Sequence, residues 1–342
     1  ANRHFEVVPQ LWDATERLHV GTKLVELFIQ TAANVVEAPL LRHPNGRTSQ
    51  VLRFGPGVEE WIAEGEAKAA LSRPLWLPTL AVPKPWTDVR SGGYETDFIR
   101  APSIISRPFG GQLKALRETV MPDVYEGLNG IQETPWRVNQ RALAVMQEAW
   151  DKSLPLPAIP MRDDVPLPEK PEDIATNDAA RKVYREAARS VHQKNAKSRS
   201  ERFAFARTLE IARESEGQTF YFPHRLDFRG RCYAMSTALH PQGPDEARAL
   251  LEFAEGKPLG ERGMFWLGVH GANVFGNDKV SLQERFAWAT QSDVFPKVEA
   301  VAADPLSNLW WTEADKPWSF LAWCFEWADA CYTPGYVSHL PI

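Results

Sequence analysis

Cysteine is scarce. Cys232, Cys324 and Cys331 form an odd, sparse set, which excludes a disulfide framework and points to reduced thiols in an intracellular setting. Cys324, Cys331 and His339 do not carry a metal-site spacing, so Cys324 and Cys331 are expected to pack as small apolar residues. No apolar run approaches the ~18 residues that a spanning helix needs, and no leader pattern is visible, so no membrane partner is expected. An initiator methionine is absent before Ala1, as after Met removal or at a fragment boundary. Positive charge is also in deficit. Lys and Arg number 39 against 44 acids, a formal net charge of −5, which excludes a uniformly basic chain and leaves local stripes to decide any nucleic-acid binding. Glycine and proline are missing from Asn177 to Glu216, although the chain as a whole holds 27 prolines and 13 tryptophans. The length of 342 residues admits one to three domains.

Local patterns place the elements. Leu24, Leu27, Phe28 and Thr31 recur at helical spacing and predict a helix over Thr22 to Val36. Asn45-Gly46, with apolar residues on both sides, predicts a hairpin closed by a tight type I′ turn. Gly57 to Ala70 reads as helix. Leu71 to Trp86 is proline-punctuated and predicts extended packing, followed by a turn at Ser91 to Tyr94. Asp123 to Trp150 carries helical patches with Val138, Leu143, Val145 and Met146 toward a core, and the proline-rich Leu154 to Ile174 predicts a surface linker.

The glycine-free and proline-free stretch predicts a long helix, capped by Asn177 or Asp178 and ended by Gly217, either continuous or broken near Asn195. Arg181, Arg185, Arg189 and His192 fall on one face of it, and Lys194, Lys197, Arg199 and Arg202 continue the basic run. Phe205, Leu209 and Ala212 form an apolar face that docks the C-terminal half. From Arg181 to Arg231 there are 13 cations and six acids, a balance of +7 that leaves −12 for the remainder of a −5 chain. A solvated helix face is the plain alternative to a nucleic-acid stripe.

Directly after it comes YFPHRLDFRGRCYA, Tyr221 to Ala234. Its aromatic residues predict strands, and Asp227 to Arg231 predicts a bend at Gly230. Arg229 and Arg231 flank that glycine. Guanidinium groups match phosphates bidentately and stay charged, so the pair suits a phosphodiester backbone, with Asp227 orienting one arginine. An ion pair that merely supports the bend fits the spacing equally well.

The residues FPHRLDFRGRCYAMS, HPQG and LLEFAEGKPLGERGMFWLGVHGANVFGNDKV resemble the single-subunit RNA polymerases of bacteriophages and mitochondria, the phage branch more than the other. The likeness extends upstream to VPKPWTDVRSGGY and TPWRVNQRAL and downstream to DPLSNLWWTEADKPWSFLAWCFEW. It implies a mainly α fold with a small antiparallel β palm element, an incomplete right-hand polymerase lacking most of the palm and fingers. By the same likeness, residues 1–131 belong to a promoter-side N-terminal domain, 132–217 to thumb-like helices with the 154–174 linker, 218–255 to a partial palm, and 256–342 to a palm insertion and the chain end.

The likeness also suggests site residues. Asp227, Arg229, Gly230, Arg231 and Tyr233 would contact template and hybrid. Arg185, Arg189, Lys194, Lys197, Arg199 and Arg202 would track the RNA–DNA hybrid through its backbone. Lys279 would lie near the incoming nucleoside triphosphate. Leu40, Leu41, Val51 or Leu52 of the Asn45-Gly46 hairpin would wedge the upstream edge of a melted promoter.

The family's two aspartates hold Mg2+, which activates the 3′ hydroxyl and stabilises the leaving pyrophosphate. The chain ends at Leu340-Pro341-Ile342, where the first of them would follow, so no catalytic residue is assigned here and the chain alone is expected to bind no metal and to be inactive. Three readings stand. The chain is the front portion of a complete enzyme, or a non-catalytic subunit of a split polymerase, or a DNA-binding regulator descended from one. The implied partners are DNA template and promoter, the RNA–DNA hybrid, nucleoside triphosphates and the remaining polymerase portion. The implied setting is the cytoplasm of an infected bacterium.

Overall fold

A computed structural model describes residues 13–31, 36–43, 46–55, 76–94 and 102–342. The predicted Gly57 to Ala70 helix and the start of the proline-punctuated stretch, 71–75, lie outside the described residues. The chain divides into two compact units, Ala1–Arg73 and Pro74–Ile342.

In the first unit a helix runs from Ala14 to Thr31, starting eight residues before the predicted Thr22. The cause is a reciprocal cap. The Asp13 carboxylate accepts from Thr15 N–H and Glu16 N–H, at 2.7 and 2.8 Å, while Glu16 accepts from Asp13 N–H at 2.9 Å. The hairpin follows as two antiparallel pairs, Leu40–Arg42 with Thr48–Gln50 and Val36–Glu37 with Arg53–Phe54. At its tip His43 N–H donates to the Arg47 carbonyl at 2.8 Å and Gly46 N–H to the His43 carbonyl at 3.0 Å, with Gly46 at φ +76°. Asn45 itself lies outside the described residues.

The second unit is built on a long helix, three short β-pairs and a helical layer rich in tryptophan. The long helix runs unbroken from Asp178 to Glu214, about 55 Å at 1.5 Å per residue. The Asn177 side chain caps it by accepting from Ala180 N–H at 3.1 Å, and Gly217 turns the chain away at φ +71°. No break occurs at Asn195. Its side chain instead points out of the helix and both donates to and accepts from the Val165 backbone, each at 2.9 Å. The proline-rich segment is thereby strapped along the helix. Leu156 and Ile159 bury themselves, so the linker is only partly a surface feature. Phe205, Leu209 and Ala212 dock on the helix Gln140–Asp151, with Phe205 against Trp150 at 5.2 Å between ring centroids.

Val138 is buried as expected, but on a strand. Trp136–Val138 pairs antiparallel with Leu251–Phe253, and Trp136 also bridges Phe220. The strands expected on either side of Gly230 are present as a hairpin, His224–Leu226 paired with Cys232–Ala234. Its inner face packs Leu226 and Cys232 on Trp86, Val89, Ile104, Ile105 and Leu128. A third pair, Lys257–Pro258 with Val337–Ser338, ties the chain end to the same region.

The helices Gly260–Phe275, Leu282–Ala289, Phe295–Ala303 and Pro317–Tyr332 form the remaining layer. The last of these is apolar all round and buried on nearly every side. It approaches closely because Gly271 lacks a side chain. A Cβ there would sit 2.1 Å from the Trp323 ring. Two of its buried indoles find acceptors: Trp323 Nε1 donates to the Leu267 carbonyl and Trp318 Nε1 to the Pro157 carbonyl, both at 2.8 Å. Cys324 packs in this core, where burial pushes its thiol far up, whereas Cys331 stays at the surface, against expectation.

Candidate nucleic-acid interface

The Asp227–Arg231 loop is built around one carboxylate. Asp227 N–H closes the hairpin on the Arg231 carbonyl at 2.8 Å, and Gly230 N–H turns back to the Asp227 carbonyl at 3.1 Å. Gly230 sits at φ +84°, a conformation that costs other residues a Cβ clash, while the space around it is open. The glycine therefore serves the turn itself. One Asp227 oxygen accepts from Arg229 N–H and Arg231 N–H at 2.8 and 3.0 Å. The other accepts from the Arg229 guanidinium, at 3.0 Å from Nε and 2.9 Å from Nη2. Desolvation works against this carboxylate, yet the bonds from Arg231 N–H and from the Arg229 side chain and N–H outweigh it and hold its pKa below the usual range.

The two flanking arginines thus differ. Arg229 is spent largely on Asp227, lies 5.3 Å over the Phe228 ring, and interacts with the Tyr233 phenol. Arg231 is exposed and its guanidinium has no partner among the described residues. Phe228 projects from the loop tip, 66% exposed. Both roles foreseen for Asp227 are filled together: it fixes the bend and it orients one arginine.

The helix cations also separate into two groups. Arg185, Arg189 and Lys194 are exposed with no carboxylate partner among the described residues, and Lys197 pairs loosely with Glu201 at 3.6 Å. Arg199 and Arg202 instead converge on Asp164 of the proline-rich segment, Arg199 Nε at 3.0 Å and Arg202 Nη2 at 2.5 Å. Hydrogen bonds from both hold the Asp164 carboxyl below its usual range. Arg181 folds back on the carbonyls of Ile174 and Ala175, at 3.0 and 2.6 Å. Lys279 stands apart on the turn after the Gly260–Phe275 helix, 88% exposed and 3.0 Å from Asp278.

Arg225 escaped the sequence reading except as a charge. It faces Tyr233 across the hairpin, while His224 beside it is buried. The alternation of strand positions carries that signal once the strand is placed. No group of three or more His, Cys, Asp or Glu side chains among the described residues is arranged to hold a metal ion.

The family model for DNA-dependent RNA polymerase matches residues 257–342. The chain is 36% identical over 327 residues to the DNA-directed RNA polymerase of Enterobacteria phage K11, covering 93% of this chain and 35% of that protein. It is 35% identical over 320 residues to the T7 RNA polymerase of Escherichia phage T7, covering 93% and 36% respectively. It is 32% identical over 367 residues to the mitochondrial DNA-directed RNA polymerase of Neurospora crassa, covering 98% and 25%. The chain spans about a third of the length of the phage relatives it matches.

Proposed function

We propose that this chain, a homologue of part of the phage-type single-subunit DNA-directed RNA polymerases, contributes the template and hybrid contacts of DNA-templated RNA synthesis. The observation that carries the reading is the division of labour at the Asp227–Arg231 loop. Asp227 fixes the loop and Arg229, and Arg231 is left charged, exposed and unpaired among the described residues. A guanidinium held on a rigid turn loses little freedom on meeting a phosphate. Arg185 and Arg189, one turn apart on the long helix, have the same character, which suits a backbone tracked by shape rather than by base sequence, and Lys194 adds a further exposed cation on that helix. Arg199 and Arg202 serve that helix differently. Their bonds to Asp164 anchor the linker and leave only part of their charge for nucleic acid. Lys279, exposed beside Asp278, remains the candidate for a triphosphate contact.

By the resemblance, the metal-binding chemistry of the reaction is assigned to a further polymerase portion. DNA, nucleoside triphosphates and a polymerase portion bearing the metal-binding aspartates are the partners this reading requires. Among the described residues no helix is long and apolar enough to cross a membrane.

The test is binding of a labelled RNA–DNA hybrid by the 342-residue chain across a salt series. Affinity should fall steeply with salt, and Arg231→Ala should lower the slope of log affinity against log salt by about one phosphate's worth, 0.7–0.9. Salt-independent binding, or an unchanged slope in Arg231→Ala, removes the reading. Nucleotide incorporation by the isolated chain, sensitive to Arg231→Ala, removes the assignment of the metal chemistry elsewhere.

The hairpin carries a further part of the proposal. Leu40, Leu41 and Leu52 are exposed on it, a costly display unless something apolar stacks there. Base steps at the upstream edge of an opened promoter fit that role. In the complete polymerase, Leu41→Ser with Val51→Ser should reduce opening of a duplex promoter and spare a pre-melted one. Equal activity on both templates would count against it.

A further inference from the structure

We infer that Arg107 and Arg225 together hold one backbone phosphate of the bound nucleic acid, at a subsite beside the Asp227–Arg231 loop. The inference rests on the reading above for its occupant, and on the following geometry for its place. Arg225 lies on the outward face of the His224–Ala234 hairpin, opposite Tyr233. Its guanidinium is half-buried and has no hydrogen-bond or ion-pair partner among the described residues. Several other part-covered arginines among the described residues do have one. Arg137 meets Glu252 at 2.9 Å, Arg202 meets Asp164 at 2.5 Å, and Arg207 meets Glu210 at 2.7 Å. An arginine without an acid is costly to cover unless an anion arrives from outside.

The charge facing Arg225 makes matters worse. Burial first, and then the like charge of Arg107, push its pKa down, with the Tyr94 phenol the opposing influence. The backbone explains how Arg107 arrives there. Ser106 N–H donates to the Leu226 carbonyl at 2.8 Å and Leu226 N–H to the Ile104 carbonyl at 2.7 Å. Ile104 to Ser106 therefore runs parallel beside the hairpin strand and delivers Arg107 to its edge. Arg107 then adopts φ +52° immediately before Pro108, in the left-handed region that side chains avoid. Arg107, too, has no partner among the described residues. Two guanidinium groups on neighbouring segments, set there against repulsion and strain and with no carboxylate partner among the described residues, present donors for one anion with several acceptor oxygens. A phosphate meets that description. The neighbouring Arg229 and Tyr233 continue the same face, so a strand crossing the loop passes this pair as well.

A phosphodiester and a free phosphate share this chemistry, and two readouts on the whole chain separate them. In the hybrid titration, Arg225→Gln should lower the salt slope by about 0.7–0.9, and adding Arg107→Gln should lower it no further, because both side chains serve one phosphate. Arg225→Lys should recover the slope and only part of the affinity, since a point cation cannot grip bidentately. Independently, millimolar inorganic pyrophosphate should raise the Tm of the parent chain and not that of Arg225→Gln, whose own Tm should be no lower. Intact hybrid binding with an unchanged slope in Arg225→Gln overturns the phosphodiester assignment. A parent chain that ignores the hybrid yet is stabilised by pyrophosphate through Arg225 removes the functional reading and leaves an anion site. Failure of both readouts overturns the inference altogether.

Discussion

Asp227→Ala is expected to weaken hybrid binding by about 10- to 100-fold at physiological salt and to lower the salt slope by up to about one phosphate's worth. The loss of affinity exceeds that of either arginine because one side chain positions both. Asp227 accepts from the N–H groups of Arg229 and Arg231 and from the Arg229 guanidinium, with its side chain only 16% exposed. Without it the loop loses its internal bonds, Arg229 is freed to swing, and Arg231 is no longer held on a fixed backbone. Asp227→Asn should fall between. The amide oxygen still accepts from the two backbone N–H groups, but the charged fork to Arg229 is gone. Far-UV circular dichroism and Tm separate a rearranged loop from a damaged fold, since the hairpin's inner face packs independently on Trp86 and Ile104. Hybrid binding by Asp227→Ala with the parental slope would show that the loop is structural only.

That asymmetry between Arg229 and Arg231 marks the limit of what a one-dimensional reading reaches. The spacing Asp-x-Arg-Gly-Arg announces a bend and two cations, and symmetry around the glycine treats them alike. Only the turn geometry, with Gly230 at φ +84°, decides which guanidinium folds onto Asp227 and which faces outward. The long helix was legible because forty residues without glycine or proline leave few alternatives. Its continuity through Asn195 was not, because that residue's partner is the backbone of Val165, thirty positions away. A similar distance hid the pairing of Arg199 and Arg202 with Asp164, which anchors the linker to the helix. The strand Trp136–Val138 was missed because three residues are too few to show a period. Only its β-forming composition ahead of the Asn139 cap hinted at it. The resemblance to polymerases supplied function where patterns stopped, and it too was blind to Arg225, whose meaning depends on what surrounds it.

Acid should destabilise the chain well before its carboxylates are protonated, and His270 should account for a large share. His270 sits on the helix Gly260–Phe275, where burial, with Lys316 and Arg248 adding like charge, lowers its pKa to about 4. Between pH 6.5 and about 4 the unfolded chain takes up a proton that the folded chain refuses. This contribution is therefore fully present above the ordinary histidine pKa and is lost as pH falls through that window. Burial pushes His224 and His240 in the same direction. Glu246 and Glu252 act oppositely, because burial raises their carboxyl pKa values and favours the folded chain as they protonate. A comparison of variants isolates one group from this sum. Urea unfolding of the parent and of His270→Gln, each near pH 7.5 and pH 5, should show the pH-dependent loss shrinking by roughly 2 kcal/mol in the variant. A loss of that size is a large part of the stability of an ordinary domain. An unchanged pH dependence in His270→Gln would mean that His270 charges in the folded chain as readily as in the unfolded one, and that the cations beside it are screened from it by water.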